Sequence, residues 1–93
     1  MLEYEWGEAK AAANARKHGI NFEEATTVFL DPFATTYRDP EHSGAELRFI
    51  TIGQSAEGRL LFVAHEEISE ERIRIISARP ATRREAHAYQ EAF

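Results

Sequence analysis

The sequence predicts an α+β fold: a small antiparallel β-sheet flanked by helices, in the order β-α-α-β-β-β-β-α, over one domain spanning residues 1–93. Three observations carry this prediction. Stretches of helical period gather near the two ends of the chain, and segments of strand character fill the middle. Turn residues punctuate that middle at short intervals, so its strands form a meander rather than alternating with helices.

Taken in order, Leu2 to Trp6 reads as a short first strand. Glu8 to His18 is rich in alanine and reads as helix. Gly19 stops it, because glycine takes the left-handed conformation freely and the preceding Lys17-His18 suit the negative end of a helix. Asn21 heads a second helix, with Glu24 three residues on as in a capping box. Its Phe22, Ala25, Val28 and Phe29 fall on one face, and Asp31-Pro32 ends it.

The period then changes. A weak strand near Ala34–Tyr37 is followed by a polar loop, Arg38 to Glu46, and a stronger strand at Leu47–Gly53. After a turn from Gln54 to Gly58, Arg59–His65 is nearly continuous in apolar residues, as a central strand covered on both faces would be. In Arg72–Ala78 the residues alternate, with Ile73, Ile75 and Ser77 on one face and Arg72, Arg74 and Ile76 on the other. Arg79 is expected to continue the Ile73 face. Thr82, with Glu85 at the capping-box position, starts a last helix that runs to about Ala92.

Composition bounds the function. No apolar run approaches the roughly 20 residues that span a bilayer, and no basic-then-apolar signal segment opens the chain. The absence of cysteine removes disulfides and thiolate zinc sites from consideration, and a cytoplasmic location fits both observations. Sixteen acidic residues against 11 Lys and Arg give a net charge of −5, which argues against coating nucleic acid by bulk attraction. A local cluster of arginines still dominates the field at short range.

Three constellations are candidates for chemistry. Lys10, Asn14, Lys17 and His18 form a polar stripe on the first helix, opposite Ala9, Ala12 and Ala13; it fits either a phosphate-facing edge or a solvated helix face. Arg79, Arg83 and Arg84 gather at the last strand–helix junction, where free backbone N–H groups also favour anions. The planar guanidinium fork matches a phosphate better than a lysine does. His65 and Glu67 stand two apart at the end of the central strand, a spacing that fits shared acid–base work or a structural hydrogen-bonded pair. Arg48 opens the preceding strand and points either to one of these acids or to a ligand. Histidines at 18, 42, 65 and 87 lack metal-ligand spacing, so no metal or other cofactor is expected.

These residues resemble a known family. Tyr4-Glu5-Trp6, Lys10, Asn14, Lys17-His18-Gly19 and Phe22-Glu23-Glu24-Ala25 look like the first half of the BrnT toxins. Arg48-Phe49, Ile52-Gly53, Arg74 to Arg79, and Thr82, Arg83, Glu85 and Tyr89 look like the second half, in the same order. The resemblance implies a RelE-like fold and a ribonuclease toxin of a type II toxin–antitoxin pair that inhibits translation. It also implies a BrnA-type ribbon-helix-helix antitoxin, a compact heterotetramer with it, and contact with operator DNA only through that antitoxin. Gly7 departs from the aspartate usual after the tryptophan, and Pro80 from the usual basic residue after Ser-Ala-Arg.

Together these readings lead to metal-independent RNA cleavage by attack of a ribose 2′-hydroxyl on its own phosphate. Arg79 and Arg48 are expected to stabilise the phosphate, His65 or Glu67 to move the proton, and Arg83, Arg84, Lys17 and Lys10 to bind RNA. The alternative is a catalytically weak or inactive toxin-fold binding module that acts mainly in an antitoxin–operator complex, which Pro80 and the acidic total favour.

Overall fold

The computed structural model describes residues 1–42 and 47–91. The elements are β1 (Glu3–Glu5), α1 (Glu8–His18), α2 (Phe22–Thr26), β2 (Thr35–Arg38), β3 (Arg48–Gln54), β4 (Leu60–Glu67), β5 (Arg72–Pro80) and α3 (Arg83–Glu91). The sequence-based order is therefore reproduced. A single 3-10 turn, Thr27–Leu30, extends α2 as far as Asp31, and a second, Pro40–His42, occupies the start of the expected polar loop. The rest of that loop, 43–46, and the last expected helical residue, Ala92, lie outside the described residues.

One five-stranded sheet runs in the order β1-β5-β4-β3-β2. Strands β2 to β5 form the expected antiparallel meander, and β1 adds to its edge in parallel with β5, pairing Tyr4 with Ile73. The sheet is thus mixed. A parallel neighbour requires a crossover, and the whole chain between β1 and β5 supplies it. The apolar strand β4 takes the centre, as its composition requires.

Helices α1 and α2 pack on one face of the sheet, where Ile20, Phe22, Ala25 and Val28 meet Leu61, Val63, Ile73, Ile75 and Ala78 in the main core. Trp6 meets Phe22 edge-on at 5.8 Å between ring centroids, and Tyr4 lies 5.5 Å from Phe29. Gly53 fits closely under the turn that extends α2, where an added Cβ would come within 3.1 Å of the Val28 carbonyl oxygen. The opposite face carries a smaller cluster, Ile50, Ile52 and Tyr89, with Leu60, Phe62 and Ala64 half-buried around it. Helix α3 covers only this part. Its Tyr89 hydroxyl donates to Asp31 Oδ2 at 2.5 Å and fastens the helix across the edge of β3.

The two expected capping boxes differ. At α3 both halves form: Thr82 Oγ1 accepts from Glu85 N at 3.2 Å, and Glu85 Oε1 accepts from Thr82 N at 2.8 Å. At α2 only the Asn21 half forms, Oδ1 accepting from Glu24 N at 2.7 Å. The Glu24 carboxylate turns inward instead and binds Ser55 Oγ at 2.7 Å and the Arg59 guanidinium. The Arg59 hydrogen bonds hold that carboxyl below its ordinary range despite its burial. At α1, Gly7 provides no side-chain cap.

Two expectations about faces are overturned. The α1 stripe is not simply the solvated side, since Ala9, Ala12 and Ala13 are exposed whereas Asn14 is buried and His18 half-buried. Beyond the end of β1, the edge of β5 has no strand partner, and the Asn14 amide takes that place. It accepts from Ala78 N at 3.1 Å, donates to Ala78 O at 2.8 Å, and donates to Ile20 O at 2.9 Å.

The second concerns Arg79. Ala64 pairs with Ser77 but His65 pairs with Ile75, so Ile76 is an extra residue in β5. This β-bulge reverses the alternation after it. Ala78 then joins Ile73 and Ile75 in the core, and Arg79 turns to the opposite face.

Candidate active site

The face left partly open by α3 carries a groove of about 490 Å3. Its floor is Ile50, Phe62 and Ala64, and Arg48, Arg79 and Tyr37 stand around it. The register explains the convergence. Tyr37 pairs with Ile50, Ile50 with Ala64 and Ala64 with Ser77, while Ile52, Phe62 and Arg79 form the next row. Asp39 and Glu41 add an acidic rim.

Arg79 is the most constrained cation. Its Nη1 and Nη2 donate to Glu85 Oε1 and Oε2 at 2.8 and 2.9 Å, and Nη1 also donates to Pro80 O at 3.2 Å. The guanidinium carbon lies 3.9 Å above the centre of the Phe62 ring, a cation–π contact. Its hydrogen bonds hold the Glu85 carboxyl below its ordinary range, so the pair is charged at neutral pH. Glu85 takes the end of the guanidinium fork. The Nε–H and the remaining Nη2–H, which share a side edge, have no hydrogen-bond partner among the described residues. That edge has the two-donor geometry that binds a phosphate.

Burial pushes the Tyr37 phenol above its ordinary value and the negative charge of Glu85 adds to this, with Arg79 acting in the opposite direction. The arginine, its carboxylate and the phenol thus form one electrostatic group.

The other expected residues are dispersed. Arg83 and Arg84 are exposed on the first turn of α3. Lys10, Lys17 and His18 line a shallow depression on the β5 edge with Ile76 and Ser77, two residues that also line the main groove. The bulge therefore joins the α1 lysines to the arginine groove. Arg72 and Arg74 are engaged by the carboxylates of β1, the closest contact being Arg74 Nη2 to Glu5 Oε2 at 2.6 Å.

His65 and Glu67 do not line the groove. His65 is 2% exposed on the face covered by α2, between the rings of Phe29 and Phe49. Its Nε2 bonds Thr51 Oγ1 at 2.8 Å, and Thr51 in turn bonds Thr36 Oγ1 at 2.7 Å. Desolvation lowers its pKa to about 4, so the ring is neutral. Glu67 is exposed at the strand end. Among the described residues no group of three or more His, Asp or Glu is placed to hold a metal ion, and no helix is long and apolar enough to cross a membrane.

Residues 6–85 match the family described as ribonuclease toxin, BrnT, of type II toxin–antitoxin systems. The chain belongs to the BrnT family. Among solved structures it is similar to the Brucella abortus ribonuclease toxin BrnT, with a TM-score of 0.69 and 21% identity over 89% of this chain and 100% of that one. At that identity the likeness establishes the fold, and BrnT membership makes the chain a ribonuclease-toxin relative with an antitoxin as its counterpart. No curated protein matches the chain.

Three residues that line the groove or hold its arginine are not singled out by sequence. Phe62 and Tyr37 read there as ordinary strand residues, and Glu85 only as a cap. The one available signal is Glu85 itself, an acid six residues after an arginine across a strand–helix turn.

Proposed function

We propose that this BrnT-family chain is an endoribonuclease toxin whose groove cleaves RNA without a metal ion. The ribose 2′-oxygen attacks the adjacent phosphorus and the 5′-oxygen departs, leaving a 2′,3′-cyclic phosphate and a 5′-hydroxyl. The observation that carries this reading is Arg79, fixed by Glu85 and Phe62 beside the groove with one two-donor edge left over. A fixed cation stabilises the charge that builds on the phosphorane without having to reorganise. Arg48 serves the same phosphate from the other end of the groove. Lys17 and Lys10 guide the strand across the β5 edge, and Arg83 and Arg84 add to binding from α3.

His65 is the weaker of the proton-transfer candidates in this reading. A buried ring with a pKa near 4 is a poor base and faces away from the arginines. Glu67 has solvent access but does not line the groove. The partner is a BrnA-type ribbon-helix-helix antitoxin that covers the groove in a heterotetramer, contacts operator DNA and releases the toxin to inhibit translation in the cytoplasm.

The test is induction of the chain alone, beside Arg79→Ala and beside co-expression with the antitoxin gene. The parent is expected to arrest growth, and the purified protein to cleave RNA in EDTA with cyclic phosphate ends. Arg79→Ala is expected to slow cleavage by roughly 100-fold or more, the scale for removing one fixed oxyanion donor. An inactive parent would favour the binding-module reading, and a fully active Arg79→Ala would remove that residue from the mechanism.

A further inference from the structure

Resting on the ribonuclease reading, we propose that Tyr37 is the general acid of the reaction, its phenol protonating the departing 5′-oxygen. A group that moves the proton must face the groove. The residues suggested by sequence for proton transfer do not line it, whereas Tyr37 does, with its ring exposed on edge strand β2. Tyr37 and Arg79 project from the two outer strands of the meander onto the same face. Neighbouring strands lie about 4.8 Å apart, so their backbones are separated by roughly 14 Å across three strand steps. Between them the floor includes the small Ala64. Both side chains line the same groove of about 490 Å3, which has room for a phosphate. In an in-line displacement the leaving oxygen is apical and the charge builds on the equatorial oxygens, so an acid and a charge stabiliser reach the phosphate from different directions.

The chemistry of the group fits the assignment. No hydrogen-bond partner holds the Tyr37 hydroxyl among the described residues, so it is available to a ligand. A phenol is protonated at neutral pH, as an acid must be before it acts, and the upward shift keeps it so. A phenol is still far more acidic than the alcohol that departs. The step balances: the 2′-oxygen loses its proton to water in the open groove and forms the new bond to phosphorus. The phosphorus–5′-oxygen bond then breaks, and its electron pair takes the proton of Tyr37. Water reprotonates the resulting phenolate, which the adjacent Arg79 charge stabilises.

The assignment is tested with Tyr37→Phe, which keeps the ring on the exposed edge strand and removes only the oxygen. Two forms of one oligoribonucleotide, mapped as a cleavage site of the parent, serve as substrates: the ordinary linkage and one with sulfur in place of the 5′-bridging oxygen. A thiolate departs without a proton. On the ordinary linkage, turnover by the variant is expected to fall roughly 100-fold or more, within the usual range for general acid catalysis, with KM little changed. On the sulfur linkage the loss is expected to be largely restored. Parent-like cleavage of the ordinary linkage by Tyr37→Phe would overturn the assignment. So would an equal loss on both linkages, which marks a structural contribution. A parent that cleaves no RNA, and so yields no site to map, would instead remove the ribonuclease reading itself and this assignment with it.

Discussion

Toward α1 and α2 the sheet buries Leu61, Val63, Ile75 and Ala78 to within 1% exposure, whereas toward α3 it leaves Leu60, Phe62 and Ala64 half-exposed and lines them with charge. The same strands contribute to both faces, so the difference comes from what covers them. Two segments rich in apolar residues close the first face. On the second, α3 contributes Tyr89 to the apolar cluster and is tied down by two polar contacts, Tyr89 to Asp31 and Glu85 to Arg79. The lesson is that in a domain this small one sheet face carries the stability, and the other is free to carry the chemistry.

The sharpest way to break that contrast is to remove one ring from each face. Phe22→Ala is expected to cost about 3–5 kcal/mol, the range for deleting a buried aromatic side chain, because Phe22 is fully enclosed. That is a large part of the roughly 5–15 kcal/mol that holds a typical domain. Phe62→Ala, on the half-open face, is expected to cost less than half as much while removing the platform beneath Arg79. Urea unfolding of the two variants reads the difference. Equal losses would mean that the groove face is as much a core as the other.

The next effect concerns pH, and between neutral pH and the carboxylate range it comes from the closed face. His65 has a folded pKa of about 4 against an ordinary value of 6.5. Between those values the unfolded chain binds a proton that the folded chain refuses, so stability falls as pH falls through that window. The full loss is about 3 kcal/mol at most, most of it complete by pH 5. The depressed carboxyls Glu24, Asp31 and Glu85 act lower, since their contribution is present above the ordinary carboxylate range and lost on further acidification. His65→Leu is expected to flatten the stability profile between pH 7 and 5. A parent whose urea midpoint is constant over that interval would show that the ring is not held neutral by burial.

The sequence reveals most of the architecture because that architecture depends on local signals. Gly19, with φ of 71°, stops α1 where a left-handed residue is needed, and Thr82 with Glu85 starts α3. The apolar run of β4 fits only a central strand. What escapes depends on long-range pairing. The bulge at Ile76 arises from the match between β4 and β5 and is not written in β5 alone, yet it decides which face Arg79 meets. Strict alternation puts that arginine on the core face. The acid–base candidates fail to reach the groove for a related reason: a histidine two residues from a glutamate fixes a shared face but not which face, nor what covers it. Tyr37 escapes because its position depends on β2 being the outer strand next to β3.

The smallest effect tests the junction between the two faces. Asn14 occupies the place a further residue of β1 would take, satisfying both backbone groups of Ala78 and one of Ile20. Periodicity assigns it to a polar stripe with Lys10 and Lys17, and only the open edge of β5 explains why it turns inward. Asn14→Ala leaves those buried groups unpaired and is expected to cost about 1–3 kcal/mol, whereas Lys17→Ala, exposed on the same helix, is expected to stay within about 0.5 kcal/mol. Amide hydrogen exchange separates this role from simple packing. The Ala78 N–H should lose protection in Asn14→Ala more than the Val63 N–H in the neighbouring strand. Equal loss at the two amides would indicate general weakening of the fold, and unchanged protection at Ala78 would mean that Asn14 does not complete the strand edge that sets Arg79 beside its groove.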